Sequence, residues 1–299
     1  MVDSNVRTNS VRAWLLAARP KTLTGAAVPV MIAVGLALRT VAWADMAFWL
    51  PALLCFLFAF CMQIDANFIN DYFDFLKGGD GEDRLGPKRA CAQGWITLPA
   101  MKSGIILTTV LSALTGIPLI FYGGWDMIFI GLACIVFCFL YTVSFSRKGL
   151  GDVLVLVFFG IVPVCTTYYI LCKSCPWEVV LMSLACGIVI DTLLVLNNYR
   201  DREQDKLHGK ITLLVKLSVR NGQLLYFFLG LFGAFTALLT LICMQRATGI
   251  VLLVYCGVHY RTWLHLKRIG SGRELNVILG ETARNIFIFG ILTVVSLLF

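Results

Sequence analysis

The stretch NFINDYFDFLKGGDGEDRLGPKR, residues 67–89, places five acidic side chains beside four basic ones directly after a long apolar segment. If the apolar helix continues into this stretch, its polar residues recur at intervals of three and four and share one helical face. These residues are Asn67, Asn70, Asp71 and Asp74. A shared polar face at a helix end predicts a binding site there.

A second copy of the pattern follows another apolar segment. NNYRD at 197–201 has Asn, Tyr and Asp at the same relative positions as NDYFD at 70–74. Asn197, Asp201 and Asp205 follow at intervals of four, so that two carboxylates again lie on one helical face. Two such faces supply hard oxygen ligands suited to Mg²⁺, with Mn²⁺ as an open alternative. The predicted metal ligands are Asn70, Asp71, Asp74, Asn197, Asp201 and Asp205.

Composition predicts a polytopic membrane protein. Hydrophobic residues make up 59% of the 299 positions and charged residues only 14%, against about 25% charged in an ordinary soluble domain. Because a spanning helix needs roughly 20 mostly apolar residues, the charge-free runs predict nine spans. They lie at 22–38, 46–64, 103–125, 127–146, 153–172, 179–190, 221–245, 247–260 and 285–299. We therefore expect an all-α bundle of nine transmembrane helices that forms one domain, residues 1–299.

Several run boundaries need adjustment. The sixth run reaches a full span only if Asp191 lies inside the helix, and the eighth and ninth extend to about Lys267 and back to about Leu275.

The distribution of basic residues predicts the orientation. Of the 25 Lys and Arg residues, only Arg39, Lys173 and Arg246 fall on one side of the nine-span arrangement. The positive-inside rule then places the N-terminus and both acidic motifs at the cytoplasmic face of the cell (inner) membrane. The same rule explains the net charge of +8, so we do not expect a nucleic-acid partner.

The two acidic faces suit a substrate with a long apolar tail and a diphosphate head. The tail would lie among the helices and membrane lipid, and the head would meet the acids through bridging Mg²⁺. Bases near the motifs could stabilise the departing diphosphate, and aromatic rings could face an allylic cation that water would quench. The predicted substrate contacts are Asn67, Lys77, Arg84, Arg89, Tyr141, Arg147, Lys148, Asn198, Arg202 and Lys210.

Two acids are predicted to lie deeper in the bilayer than the motifs. Asp65 and Asp191 precede the motifs by six and ten residues and are intramembrane acids, which are functional candidates by default. Helical geometry turns Asp191 towards the second motif, where we expect it to form part of the cavity beneath the metals, whereas Asp65 should bond a neighbouring helix.

Cys172 and Cys175 form a CxxC pair for which inert packing is favoured over redox chemistry.

Four strings resemble the UbiA-type intramembrane aromatic prenyltransferases. They are NDYFDFLKGGDGEDRLGPKRACAQGWIT at 70–97, NNYRDREQDKLHGKITLLVKL at 197–217, ARPKTL at 18–23 and GRELN at 272–276. The resemblance covers nearly the whole chain and implies a nine-helix bundle with the Asp-rich motifs after spans two and six. It is closest to the branch that prenylates 1,4-dihydroxy-2-naphthoate in menaquinone biosynthesis.

The resemblance implies a decarboxylating transfer of a polyprenyl group from an allylic polyprenyl diphosphate to the naphthoate, which yields demethylmenaquinone. Asn70, Asp74, Asp201 and Asp205 match the family positions that hold the metals, and Asp71 also matches. The family's third acid is replaced by Gly78, and Asp80 follows two residues later. Substrate contact is further implied for Asp80, Arg84, Arg89, Gln93 and Lys210. The expected catalytic residues are Asp71, Asp74, Asp201, Asp205 and Asp191.

Three alternatives stay open on sequence grounds. The same fold could prenylate another aromatic acceptor such as 4-hydroxybenzoate. An ion-coupled transporter would place its charges near the midplane, where this chain has only Asp65 and Asp191. A scaffold without turnover would be expected to lose the motif acids. Prenyl chain length and oligomeric state are not encoded in any pattern we recognise.

Overall fold

Every regular element in the computed structural model, which describes residues 6–41, 46–78, 84–145 and 149–299, is helical. This confirms the all-α prediction for the described part of the chain. The helices of the first half are α1 (Val11–Ala18), α2 (Leu23–Ala37), α3 (Met46–Leu76), α4 (Leu98–Gly116), α5 (Leu119–Gly123), α6 (Asp126–Val143) and α7 (Gly151–Val155). Those of the second half are α8 (Val162–Cys172), α9 (Trp177–Leu207), α10 (Leu213–Lys216), α11 (Val219–Cys243), α12 (Leu252–Ile269) and α13 (Leu275–Leu298).

Seven helical stretches within the described ranges are long and apolar enough to cross a membrane. They are Val11–Ala37, Ala47–Leu76, Leu98–Gly123, Gly151–Cys172, Trp177–Leu207, Val219–Cys243 and Leu275–Leu298. Two shorter or more charged helices, α6 and α12, occupy the places of the fourth and eighth predicted spans. The order of helices therefore follows the predicted runs.

The two motif-bearing helices extend as the spacing predicted. α3 continues through the first motif to Leu76, and α9 runs without interruption past Asp191 and through the second motif to Leu207. In both motifs, residues three and four apart therefore share a face.

Three predicted runs are interrupted, each for a local reason. The third breaks between α4 and α5 beside Pro118, which lacks the N–H that a continuous helix needs. The fifth contains a π-helical segment, Leu156–Ile161, between α7 and α8. There a Cβ on Gly160 would lie 2.6 Å from the carbonyl oxygen of Ser183, so that only glycine permits this approach of the chain to α9. The eighth run opens with a 3₁₀ turn, Ala247–Val251.

The N-terminus contains a helix that the apolar runs did not predict. α1 begins at the cap residue Ser10, whose hydroxyl accepts a hydrogen bond from the Ala13 backbone amide at 3.3 Å. Val11 and Leu15 are exposed, whereas the ring of Trp14 packs edge-on against Phe68 of α3 at a centroid distance of 5.3 Å. α1 thus lies against the motif end of α3.

A few charged side chains lie near one another at the opposite end of the bundle. Arg39 interacts electrostatically with Arg246 and Glu178. Thr40, just beyond α2, contacts the Cys172 thiol at 3.3 Å. Burial and the neighbouring Cys165 raise the pKa of Cys175 to about 11. Cys175 is exposed, and the packing interpretation of the CxxC pair stays a prediction.

Asp65 bonds a neighbouring helix, as predicted. Its fully buried carboxylate accepts hydrogen bonds from the Thr108 hydroxyl at 2.6 Å and the Thr109 hydroxyl at 2.8 Å, both on α4. A buried carboxylate satisfied in this way fixes the orientation of α4 against α3.

We predict that Thr109→Val lowers the free energy of unfolding by about 1 kcal/mol, because one donor to the buried Asp65 carboxylate is lost. Reversible unfolding of the purified protein in mixed micelles measures the change. Thr115→Val is the matched control, since the Thr115 hydroxyl bonds only the Leu111 and Ser112 carbonyls of its own helix. Equal effects of the two substitutions would contradict the bridging role of Asp65.

Candidate active site

The first motif presents two oxygen-bearing side chains one helical turn apart. Asn70 accepts a hydrogen bond from the Thr142 hydroxyl of α6, which orients its amide. Asp74 accepts a hydrogen bond from Arg89 at 2.9 Å and forms an ion pair with it. The Asp74 side chain is about one third exposed, so it lies at the boundary between the bundle and the surrounding solution.

Asp71 serves the loop that follows α3. Its carboxylate is fully buried and accepts hydrogen bonds from the backbone amides of Ala90 and Cys91, each at 2.9 Å. Arg19 approaches the same carboxylate at 3.9 Å. Both oxygens thus hold the turn at 90–94, which gives Asp71 a structural role there, and its role as a metal ligand stays a prediction.

The second motif is organised by Arg200, which was not among the predicted site residues. Arg200 is 3% exposed and donates to both oxygens of Asp201 at 2.7 Å and to the Asn197 side-chain oxygen at 2.6 Å. Its third nitrogen donates to the Asn276 side-chain oxygen at 2.8 Å. The signal that could have identified it is its place inside the second motif, three residues after Asn197 and directly before Asp201, since these two residues provide three of its four acceptor atoms.

The remaining motif acid, Asp205, is paired with Lys210 at 3.1 Å. Lys210 also lines a small polar pocket together with Tyr141, Asn198 and Asp152. Asp152, at the start of α7, was not predicted as a site residue, and its Oδ1 has no hydrogen-bond partner within the described chain.

The structure brings the two motifs together through the loop after the first. The Leu85 amide lies 3.5 Å from the Gln204 side-chain oxygen of α9, and the Leu85 carbonyl accepts from Asn276 at 2.8 Å. Arg273 donates to the Arg84 carbonyl at 3.0 Å. Asn276 and Arg273 belong to the GRELN string, which therefore clamps this loop over the second motif.

A cavity of about 510 Å³ lies beneath the motifs. Its walls are largely apolar and come from α2, α3, α4, α6, α8 and α9 and the π-helical segment. Its polar end is lined by Arg19, Asn67, Asn70, Tyr141 and Asn197, so both motifs contribute to one cavity. The Tyr141 hydroxyl lies close enough to Asp74 and Asp205, one acid from each motif, to interact with both charges.

Asp191 occupies a different position from the one predicted. Its carboxylate is 7% exposed and its Oδ1 has no hydrogen-bond partner among the described residues. Its neighbours Ile190, Leu193 and Leu194 line the large cavity. The Asp191 side chain does not line it.

The other predicted contacts are distributed around the site. Asn67 donates to the Ala18 carbonyl and the Thr22 hydroxyl, each at 2.9 Å, and so holds the chain between α1 and α2. Lys77 donates to the Thr142 carbonyl at 3.3 Å, and Arg84 donates to the Pro87 carbonyl at 3.2 Å.

Two of the residues predicted to contact the substrate do not line the large cavity. Arg202 pairs with Glu203 at 2.9 Å, and the Gln93 side-chain oxygen is buried without a hydrogen-bond partner in the described ranges. Asp80, Arg147 and Lys148 lie outside the described residues.

The side-chain oxygens of the two motifs are the candidate ligands for a divalent cation. Within residues 6–41, 46–78, 84–145 and 149–299, no three His, Cys, Asp or Glu side chains are grouped as a metal site. The side-chain oxygens of Asn70, Asp74, Asn197, Asp201 and Asp205 nevertheless fit a hard cation in type, since each acid is held by a basic group that a cation could replace. The set is therefore compatible with Mg²⁺.

Residues 26–274 match the sequence model of the UbiA prenyltransferase family. The chain belongs to this family. It is 36% identical to 1,4-dihydroxy-2-naphthoate octaprenyltransferase of Haemophilus influenzae over 71% of each chain. It is 31% identical to the enzyme of the same name from Mycobacterium tuberculosis over 96% of this chain and 97% of that one.

Solved UbiA structures share the fold at low sequence identity. A UbiA homologue from Aeropyrum pernix K1 has a TM-score of 0.68 and 13% identity, and the match covers 92% of this chain and 96% of that one. A UbiA homologue from Archaeoglobus fulgidus, solved bound to DMAPP and Mg²⁺, has a TM-score of 0.61 and 13% identity, with 94% and 99% covered. These matches show the UbiA fold for this chain.

We predict that Asp71→Ala lowers the free energy of unfolding by about 1–3 kcal/mol, because the buried amides of Ala90 and Cys91 lose their acceptors. Asp71→Asn retains one acceptor oxygen and should have an intermediate effect. Thermal unfolding in detergent measures both, with the exposed Asp126→Ala as the control. If Asp71→Ala matched that control in stability, the assignment of Asp71 to the turn would be wrong.

Proposed function

We propose that the protein transfers a polyprenyl group from an allylic polyprenyl diphosphate to 1,4-dihydroxy-2-naphthoate, releasing carbon dioxide and diphosphate and forming the prenylated 1,4-naphthalenediol, the reduced form of demethylmenaquinone, for menaquinone biosynthesis. The observation that carries this proposal is the apolar cavity whose polar end is lined by Asn70 of the first motif and Asn197 of the second. The names of the curated relatives in two bacteria support the naphthoate as acceptor.

The cavity suits the apolar tail of the donor. Side chains such as Phe58, Phe158 and Phe159 line it, and burial of each methylene contributes about 0.8 kcal/mol. The tail would thus be held away from water, with the diphosphate at the polar end beside Arg19 and the two asparagines.

Mg²⁺, for which Mn²⁺ is a candidate substitute, would be held by Asn70, Asp74, Asn197, Asp201 and Asp205. When bound, it supplies positive charge that neutralises the diphosphate and makes it a better leaving group. Lys77, Arg84, Arg89 and Lys210 surround the same region, and their charges would stabilise the diphosphate as it leaves.

In the transfer, the bond between the allylic carbon and the diphosphate oxygen breaks, and the diphosphate keeps the electron pair. The naphthoate carbon that carries the carboxylate forms the new carbon–carbon bond. The bond to the carboxylate then breaks, carbon dioxide leaves, and its electron pair restores the aromatic ring. Tyr141 lines both the large cavity and the small polar pocket, so its ring is placed to face the allylic cation and exclude water.

The finer architecture belongs to the same proposal. Nine spans, a single domain over residues 1–299 and a cytoplasmic N-terminus in the cell membrane would place both motifs at the cytoplasmic face. Of the 25 Lys and Arg residues, only Arg39, Lys173 and Arg246 fall between the predicted spans on the side opposite the motifs, and this scarcity supports the orientation through the positive-inside rule.

We predict that membranes containing the protein release labelled carbon dioxide from carboxyl-labelled 1,4-dihydroxy-2-naphthoate when an allylic polyprenyl diphosphate and Mg²⁺ are supplied. A chelator should stop the release because the diphosphate would lose its counter-ion. A parallel assay with 4-hydroxybenzoate tests the alternative acceptor. Prenylation of that acid without carbon dioxide release from the naphthoate would overturn the assignment.

We predict that Asp74→Ala and Asp201→Ala each lower turnover at least about a hundredfold, since each removes an oxygen that counters the diphosphate through the cation. The same product assay, normalised to the amount of folded protein, measures the loss. Glu178→Ala is the matched control, because Glu178 lies in the first turn of α9, at the end opposite Asp201. Robust turnover in either motif variant would remove that residue from the metal site.

A further inference from the structure

Asp74, Asp201 and Asp205 are each paired with a basic side chain, and the base that pairs with Asp201 is more buried than the other two. The side chain of Arg200 is 1% exposed, against 8% for Arg89 and 26% for Lys210. A guanidinium in this position cannot be exchanged for water, because an unpaired buried charge costs several kcal/mol. Arg200 therefore needs acceptor partners within the site in every state of the protein.

Arg200 uses the same oxygens that a divalent cation would need. It donates to both oxygens of Asp201 and to the side-chain oxygen of Asn197, all within 2.7 Å. A carboxylate with both oxygens bonded to one guanidinium is already neutralised and oriented. A divalent cation that binds these oxygens therefore competes with Arg200 for the negative charge of Asp201.

A second acceptor is available to the guanidinium. Asn276 accepts from the remaining nitrogen of Arg200 at 2.8 Å, and its amide nitrogen donates to the Leu85 carbonyl at 2.8 Å. The loop packs directly on the same group, since a Cβ on Gly86 would lie 2.8 Å from Nη2 of Arg200. Movement of Arg200 is consequently coupled to the loop that carries Arg84 and Arg89.

We propose that Arg200 is a placeholder cation. It holds the Asn197 and Asp201 oxygens in place without substrate, opposes binding of a divalent cation on its own, and is retained by Asn276 when it releases Asp201. This inference rests on the proposed function for the identity of the cation site. Its consequence is that the diphosphate, which offers the guanidinium a new anionic partner, promotes entry of the cation.

The test measures binding of Mn²⁺ alone to the purified full-length protein, by electron paramagnetic resonance of the free ion and without any substrate. Arg200→Gln should bind Mn²⁺ at least about tenfold more tightly than wild type, because the competing charge is gone, and should lose turnover. Asn276→Ala should bind it at least about threefold more weakly, because the released guanidinium loses its holder. A purely structural role would weaken binding in both variants.

Lys206→Gln is the matched control, since it removes one positive charge from an exposed position on the same helix. Its Kd for Mn²⁺ should stay within about twofold of wild type. If Arg200→Gln does not fold, Arg200→Lys answers the same question, because one ammonium group cannot hold Asn197 and both Asp201 oxygens as the guanidinium fork does.

The Arg200→Lys variant should tighten Mn²⁺ binding at least about threefold. Unchanged or weaker binding in the folded Arg200 variants overturns the inference. That outcome is independent of the carbon dioxide assay, because no substrate is present.

Discussion

Paired charges at the ends of α3 and α9 are the constraint on which the site depends. Acids at a membrane boundary cannot be left partly buried without a counter-charge, and here Asp74, Asp201 and Asp205 are each held by a base. The same pairing keeps their oxygens near the polar end of an otherwise apolar cavity. A diphosphate with a long apolar tail matches both parts of this arrangement, which is why the family assignment and the geometry lead to the same chemistry.

The loop after α3 is the element that turns two separate helix ends into one site. Asp71 fixes its far end by bonding the turn at 90–94. Asn276 of α13 and Arg273, two residues before that helix, fix its near end at Arg84 and Leu85. The C-terminal helix thus contributes to a site whose acids lie on other helices. This explains in physical terms why the short GRELN string accompanies the two longer motifs.

Much of this could be predicted from the sequence, and the limits have clear causes. The helical continuation of α3 and α9 through the motifs followed from residue spacing, and the bond from Asp65 to a neighbouring helix followed from the direction of its side chain. The role of Asp71 could not be predicted, because its partners are backbone amides 19 and 20 residues away. Arg200 was missed because its burial depends on Asn276, an acceptor 76 residues away, and no local spacing indicates that contact. α1 was missed because its apolar stretch is too short to register as a span.

The most direct test of the central claim is whether the two motifs meet in the membrane. In a protein whose eleven native cysteines are replaced by alanine, Leu85→Cys and Gln204→Cys can be combined and treated with a short bifunctional thiol reagent. We expect an intramolecular cross-link in the double variant, since the Leu85 amide lies 3.5 Å from the Gln204 side-chain oxygen and the two residues are therefore neighbours. Absence of the cross-link, with both cysteines still reactive towards a maleimide, would contradict it.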